Sequence, residues 1–235
     1  MRILVWNLNM AAHKKITLLQ RLAPDLAILP ECASPEVIVA KCPAFTFTDA
    51  QWVEQSRHKG LGVFSFGDVR LTRARVYDSR YEVFLPLTVT GPRRFNLLAV
   101  WALNFHAPSE RTMPDALHWY RSFLTRRDTL VAGDFNNSVL WDRPGKRTNF
   151  AGIARTLSAL GLASAYHTVT GEPFGHERQA TLWFLKRPHQ TYHIDYCFVP
   201  TTWVFRSLSV MVGYHEEWLR HSDHAPLLVS VPDDE

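Results

Sequence analysis

Polar residues able to do chemistry recur in this sequence where an apolar run stops. Asn7 follows "RILVW", Glu31 follows "DLAILP", and His106 closes "RFNLLAVWALNF". Asp134 and Asn136 end "TLVAGDFNN", Asp195 sits in "YHIDYCFV", and Asp223 with His224 precedes "PLLVSV". Any one of these is an ordinary turn residue or cap. Together they point to strand ends converging on one crevice. Carboxylates at Glu31, Asp134 and Asp223, with no cysteine or histidine cluster at ligand spacing, suit a hard cation such as Mg2+ or Mn2+ more than zinc. Such an ion acts as a Lewis acid on a phosphoryl oxygen. Within "GDFNN", Gly133 permits a tight turn, and Asp134 and Asn136 face one side if the segment is extended. An anion to orient water beside an amide to donate to a phosphate oxygen is a sensible pairing for hydrolysis. Asp195 could hold the His224 ring in one tautomer if their strands are neighbours. Spacing alone favours a plainer reading, with Asp195 a strand-end acid and His224 a solvated loop residue.

The elements that must position these groups are legible in outline. "RILVW", "DLAILPE", "GLGVFSF", "YEVFLPLTVT", "RFNLLAVWALNFH", "TLVAGDF", "YHIDYCFV", "VFRSLSVMV" and "PLLVSV" read as strands. "KKITLLQRL" is helical, with Ile16, Leu19 and Leu22 on one face and Pro24 as its stop. "PDALHWYRSFLTRR" and "FAGIARTLSAL" are further amphipathic helices, the second ending at Gly161. "WDRPGKRTN" is a basic loop. Strands follow one another directly as often as they alternate with helices, which predicts a mixed-sheet α/β or α+β domain over residues 1–235.

The totals narrow the class. The 235 residues are 46% hydrophobic and 20% charged, enough for one large core and not for a disordered chain. A net charge of +4 permits a polyanionic partner without requiring one. Cys32, Cys42 and Cys197 lack metal-ligand spacing, and an odd count is a poor disulfide framework. "MRILVWNLNM" breaks at Asn7 and lacks the apolar core of a signal peptide, so a cytoplasmic location is expected. No apolar run is long enough to span a bilayer.

In their order and spacing, "VWNLN" (5–9), "PDLAILPE" (24–31), "KGLGVFS" (59–65), "NFHAPSE" (104–110), "VAGDFNN" (131–137), "HIDYCFV" (193–199) and "SDHAPL" (222–227) resemble the endonuclease/exonuclease/phosphatase superfamily. That group holds deoxyribonucleases, abasic-site endonucleases, sphingomyelinases and inositol polyphosphate phosphatases. The resemblance implies a four-layer α/β sandwich, two mixed sheets face to face with helices outside. It implies Glu31 as principal metal ligand and Asp223 as a support of the metal or its water shell. Asn7 and Asn136 would contact the phosphate, and Asp134 would orient or deprotonate the attacking water. Asp195 would orient His224, His224 would polarise the scissile phosphate, and His106 would assist the leaving group.

The chain departs from the pattern at Asn9, where abasic-site enzymes carry an aspartate, and at His193, where arginine is common. Inositol-phosphatase signatures are absent. The resemblance therefore implies a Mg2+- or Mn2+-dependent phosphoester hydrolase. Basic residues near the motifs lean it toward a nuclease acting on DNA, and a monomer is expected. A phosphodiesterase or phosphatase for a small or protein–nucleic acid ester is the alternative. A silent binding module is the weakest reading, since the chemical residues are all present. Lys14, Lys15, Arg143, Lys146 and Arg147 are candidate backbone-phosphate contacts. Trp141 and Trp183 are candidates for stacking on bases. Lys14 and Lys15 also read as a polar helix start, and Trp141 as an ordinary loop anchor. His221 has no assigned role.

Overall fold

Residues 1–103, 111–204 and 208–232 are described by a computed structural model. In chain order the first strands are β1 (Arg2–Val5), β2 (Leu26–Cys32), β3 (Asp49–Ser56), β4 (Lys59–Ser65) and β5 (Arg70–Arg73). Next come β6 (Phe84–Thr90), β7 (Phe95–Trp101), β8 (Thr129–Asp134) and β9 (Leu162–Ser164). The last are β10 (Leu182–Trp183), β11 (Thr191–Tyr192), β12 (Asp195–Pro200), β13 (Ser209–Val212) and β14 (Leu227–Ser230). They form two six-stranded sheets, ordered β13-β14-β1-β2-β4-β3 and β5-β6-β7-β8-β12-β9, with β10 and β11 as a separate hairpin. Both sheets are mixed, because β1 runs parallel to β2 and β7 parallel to β8 while the other pairs are antiparallel.

The alternation of side chains along β7 shows how the layers stack. Leu97, Ala99 and Trp101 enter the core shared with the first sheet, while Leu98 and Val100 join a second core beneath helices. Strands buried on both faces read as continuous apolar runs, as these do. Helices α1 (Ile16–Leu22) and α2 (Pro35–Lys41) bury Ile16, Leu19, Leu22 and Ile38 in the first core. Helices α3 (Met113–Trp119), α4 (Arg121–Leu124) and α5 (Phe150–Ala159) pack on the second sheet through Met113, Leu117, Phe123, Phe150 and Leu157. The short helices α6 (Ala165–Thr170), α7 (Thr201–Val204) and α8 (His215–Trp218) bridge strands. The result is the four-layer sandwich expected from the sequence. No helix is long and apolar enough to cross a membrane among the described residues.

Several boundaries differ from the sequence reading. The helix expected over "PDALHWYRSFLTRR" is two, α3 and α4, separated at Tyr120, whose ring is buried and whose hydroxyl accepts a hydrogen bond from the Asp78 N–H at 3.2 Å. Val204, expected in a strand, lies in α7. Helix α2 and strands β3 and β5 carry too little apolar periodicity to announce themselves. Gly161 does end α5, at φ 78°, as anticipated.

Candidate active site

The expected convergence occurs, and it is built from both sheets. Strand β1 delivers Asn7 and β2 delivers Glu31 from the first sheet, while β8 and β12 deliver Asp134 and Asp195 from the second. In the β8–β12 ladder Asp134 stands directly opposite Asp195. Two fully buried carboxylates thus face one another across a strand pair, an arrangement that is costly unless cations or donors compensate it.

His224 supplies that compensation from the other sheet. Its Nδ1 lies 2.8 Å from Asp195 Oδ2, and the pair is buried. The plainer reading of Asp195 and His224 is therefore overturned. So is the condition attached to the pairing, because β12 and β14 are not neighbours in one sheet but lie in the two facing sheets. A single bridge between Leu182 and His224, with the Trp183 N–H donating to Asp223 O at 2.8 Å, ties the "SDH" segment to the β10–β11 hairpin. Burial works against a charge on His224, but the bonded Asp195 carboxylate, with Asp134 and Asp223 beyond it, outweighs this and lifts the imidazole to about 10. Burial first, and the Asp195 carboxylate second, push Asp134 up to about 7.

Asn7 joins the two sheets' acids. Its Nδ2 donates to Glu31 Oε1 at 3.2 Å and to Asp134 Oδ2 at 2.9 Å, while its Oδ1 accepts the Asn9 N–H at 2.9 Å. Asn9 continues the chain, its Nδ2 donating to Asp223 Oδ1 at 2.8 Å. At this position, where the sequence departs from the abasic-site pattern, the Asn9 amide binds the neighbouring carboxylate and adds none of its own. Ser222, a buried residue, locks the floor by donating to Asn7 O at 2.8 Å and accepting the His224 N–H at 3.1 Å. Thr181 Oγ1 does the same under β12, accepting the N–H groups of Ile194 and Asp195 at 2.9 and 3.0 Å.

Backbone geometry at these points is specialised. Glu31 has φ 55° where the β2–β4 register shifts, so the bulge turns its carboxylate out of the strand's alternation. Asn136 has φ 45°, which removes the extended path expected for "GDFNN". Asn136 still meets Asp134, because its N–H and Nδ2 reach the carboxylate at 2.8 and 3.2 Å in a turn capped by that side chain. Gly133 has φ 145°, and a Cβ there would lie 1.8 Å from Val100 O, so no other residue fits.

The remaining sequence candidates separate clearly. Lys15 is 5% exposed, and its ammonium donates to Leu8 O and to Met10 O, the latter at 2.8 Å. It clamps the loop carrying Asn7 and Asn9 and does not reach out to a ligand. Trp183 is 4% exposed within the first core, so it has no face on which a base could stack. Arg147 forms an ion pair with Asp115 at 2.5 Å, at the start of α3. Lys14 is exposed beside the turn. His106 lies outside the described residues. Trp141, Arg143 and Lys146 line a cleft of about 900 Å³ that begins at Asn136, with Tyr192, Phe184 and Asn149 on its other walls. The rings of Trp141 and Tyr192 are 4.8 Å apart.

Lys59, Thr181 and Tyr192 were not singled out in the sequence. Lys59 Nζ stands 3.3 Å from Glu31 Oε2. Its sequence signal is its place as the first residue of "KGLGVFS", which gave no reason to single it out.

Among the described residues, two groupings could hold a metal ion. Asp134, Asp195 and His224 offer ligand atoms within 4.8 Å of one another. An imidazole held protonated by Asp195 has no lone pair to give, so this trio is better described as an acid–base group. The oxygens of Glu31 and Asp223, linked through Asn7 and Asn9, form the second grouping, and an all-oxygen set fits a hard divalent cation.

No protein-family model matches the sequence, and no curated protein matches it. Solved structures do. The 3′-5′ exonuclease NExo from Neisseria meningitidis superposes with a TM-score of 0.73 at 20% identity, over 98% of this chain and 99% of that one. A structure titled as the 3′ phosphatase NExo from Neisseria bound to product DNA hairpin gives 0.70 at 19%, over 99% of each chain. An AP endonuclease from Leishmania major gives 0.67 at 12%, over 97% of this chain and 86% of that one. The chain thus has the endonuclease/exonuclease/phosphatase fold, at identities where similarity speaks for the fold alone.

Proposed function

We propose that this protein is a divalent-metal-dependent phosphodiesterase, a nuclease acting on DNA. The observation that carries the reading is the Asp134–Asp195–His224 group, in which a buried carboxylate lifted to about 7 sits beside an imidazole lifted to about 10. A base titrating near neutral pH and an acid that stays charged are the two partners that phosphoester hydrolysis requires.

Glu31, supported by Asp223, would hold Mg2+ or Mn2+, which supplies Lewis-acid neutralisation of a phosphoryl oxygen. Asp134 accepts a proton from water as the water oxygen bonds to phosphorus and the ester P–O bond breaks toward the leaving oxygen. Asn136, and Asn7 once substrate draws on its amide, donate to the phosphate. The His224 imidazolium, its Nδ1–H held by Asp195, donates from Nε2 to a non-bridging oxygen where charge accumulates. His106, expected to assist the leaving group, keeps that role as a proposal. Arg143 and Lys146 in the cleft would neutralise backbone phosphates, and Trp141 would stack on a base. The structural relatives described as exonuclease, as 3′ phosphatase and as AP endonuclease support a DNA substrate. The 3′ phosphatase description favours a second reading as well, hydrolysis of a terminal phosphate monoester. Cys32, Cys42 and Cys197 are free thiols, which supports a reducing, cytoplasmic setting, and we read the active unit as a monomer.

The test is incubation with plasmid, single-stranded DNA and a 3′-phosphorylated hairpin, with and without EDTA, beside Glu31→Ala. Metal-dependent cleavage lost in the variant is the expected result. DNA and hairpin intact under every metal condition would sink the proposal, and release of inorganic phosphate alone would select the second reading.

A further inference from the structure

Glu31 is approached by a cation of the chain itself. Lys59 Nζ lies 3.3 Å from Glu31 Oε2, while Oε1 takes the Asn7 amide. Both oxygens of the carboxylate read as metal ligand are therefore engaged. The lysine is held there from three sides. Its ammonium rests 5.2 Å from the Trp101 ring centroid, and Trp101 pairs in register with Asp134. Its backbone begins β4 directly after His58, which sits at φ 71°, and the β3–β4 register shifts between Glu54 and Ser56. A Cβ on the next residue, Gly60, would lie 2.1 Å from Val53 O and 2.6 Å from the Trp52 ring, so the hairpin tip is seated against Trp52 without slack. Side-chain exposures of 28% for Lys59 and 23% for Glu31 leave the pair at the mouth of the site, half in reach of solvent and ligand.

Resting on the reading of Glu31 as a metal ligand, we propose that Lys59 is a built-in counter-ion of that carboxylate and exchanges with the metal. Without metal it holds the Glu31 carboxylate in place through the contact to Oε2. When a divalent cation takes the carboxylate, repulsion between the two cations drives the ammonium off Oε2. A lysine carries its charge on a flexible stem with rotatable donors, so the released ammonium can swing to a phosphate oxygen of the substrate. Metal and phosphodiester then favour each other's binding, because each gives one half of the ion pair a new partner. Lys59 is thus a positioning residue for the metal and a substrate contact in the loaded state. Asn9 offers no carboxylate and its amide occupies Asp223 Oδ1, which makes the exchange more consequential, since Glu31 then bears more of the metal's binding.

The test is a titration of the metal-free protein with Mn2+ alone, read by electron paramagnetic resonance of the free ion. Wild type, K59Q, K59R and E31Q are compared, each first checked for a native circular dichroism melt. K59Q should bind Mn2+ about tenfold more tightly than wild type, and K59R, which keeps the charge, should remain within about twofold. A purely structural lysine could not yield tighter binding on removal. In turnover assays K59Q should raise KM for a DNA hairpin. Should K59Q bind Mn2+ no more tightly while E31Q loses the site, the exchange is overturned and the Glu31 reading stands. Should E31Q bind Mn2+ like wild type, both fall. If K59Q fails the melt, K59M replaces it with the same two outcomes.

Discussion

The floor of the site and its cleft wall are built on opposite principles. On the floor, the polar side chains are tied to one another, Asn7 to Glu31, Asn9 to Asp223, and Ser222 to Asn7 and His224 on the first sheet's side, with Asn7–Asp134 and Asp195–His224 closing between the two sheets. On the wall, Arg143, Lys146 and Phe184 are exposed, and they hang on the loop after Trp141 and on the β10–β11 hairpin. A floor of interlocked polar side chains fixes geometry and leaves little room to adapt to different ligands. A wall of exposed cations and aromatics can adapt to a polymer and contributes affinity in small increments. Chemistry sits on the rigid part, and recognition sits on the part that gives way.

Breaking the floor should have the largest effect. Asp195→Asn leaves His224 without its anionic partner, and kcat on a DNA hairpin should fall by about 10³-fold with KM little changed. If the loss is confined to KM, the floor is a binding surface and the contrast with the wall disappears.

The next effect concerns stability. Asp134 has a folded value of about 7, above its unfolded value, so its favourable contribution is present at acid pH and lost as pH rises through about 7. Asp134→Asn should therefore lose activity yet be more stable than wild type at pH 8 in EDTA, by about 2–4 kcal/mol, and by much less at pH 5. His224, raised to about 10, contributes stability that is complete below its unfolded value near 6.5 and lost as pH climbs through about 10. His224→Gln should thus be destabilised relative to wild type at pH 6 and level with it by about pH 10. Thermal melts across pH check both windows: the gain of Asp134→Asn over wild type should grow as pH rises toward about 7, and the deficit of His224→Gln should shrink as pH rises toward about 10. A pH-independent difference from wild type in either variant would overturn that group's assignment.

On the wall, Trp141→Ala should raise KM about tenfold at unchanged kcat, the loss of one stacked base. The smallest effects belong to Arg143→Gln and Lys146→Gln. Each should lower the slope of log affinity against log salt by about 1, measured by anisotropy on a labelled hairpin. Arg147→Ala, whose charge is spent on Asp115, should change that slope less than either.

How much of this could be read beforehand follows the same division. Asn7, Glu31 and Asp134 were visible because an apolar run stops at each, and Asp195 because one starts there, so a strand end carrying a polar group is a local signal. The His224–Asp195 pair was not readable from spacing, since it closes between facing sheets and depends on how two cores stack. Lys15 and Trp183 carry the residue types of nucleic-acid contacts, but burial is decided by tertiary packing, and both point inward. Lys59 could not be found by type or periodicity, because its partner lies on a different strand and its place is fixed by a hairpin tip. Thr181 and Ser222 act through hydroxyls on backbone N–H groups, a role that any serine or threonine in a turn could fill.

Lys15 has a consequence beyond architecture. Burial, with Lys186 adding to it, lowers its ammonium to about 8, and it is held beneath three successive left-handed residues, Asn9, Met10 and Ala11. A low-pKa amine is intrinsically the readiest to acylate in mildly alkaline solution, yet no reagent can touch this one while the loop is seated. The rate at which Lys15 takes up a small acylating label therefore clocks how often the loop beneath Asn7 comes loose. The clamp doubles as a chemical timer for the opening of the site, and once struck it could not close again on Leu8 and Met10.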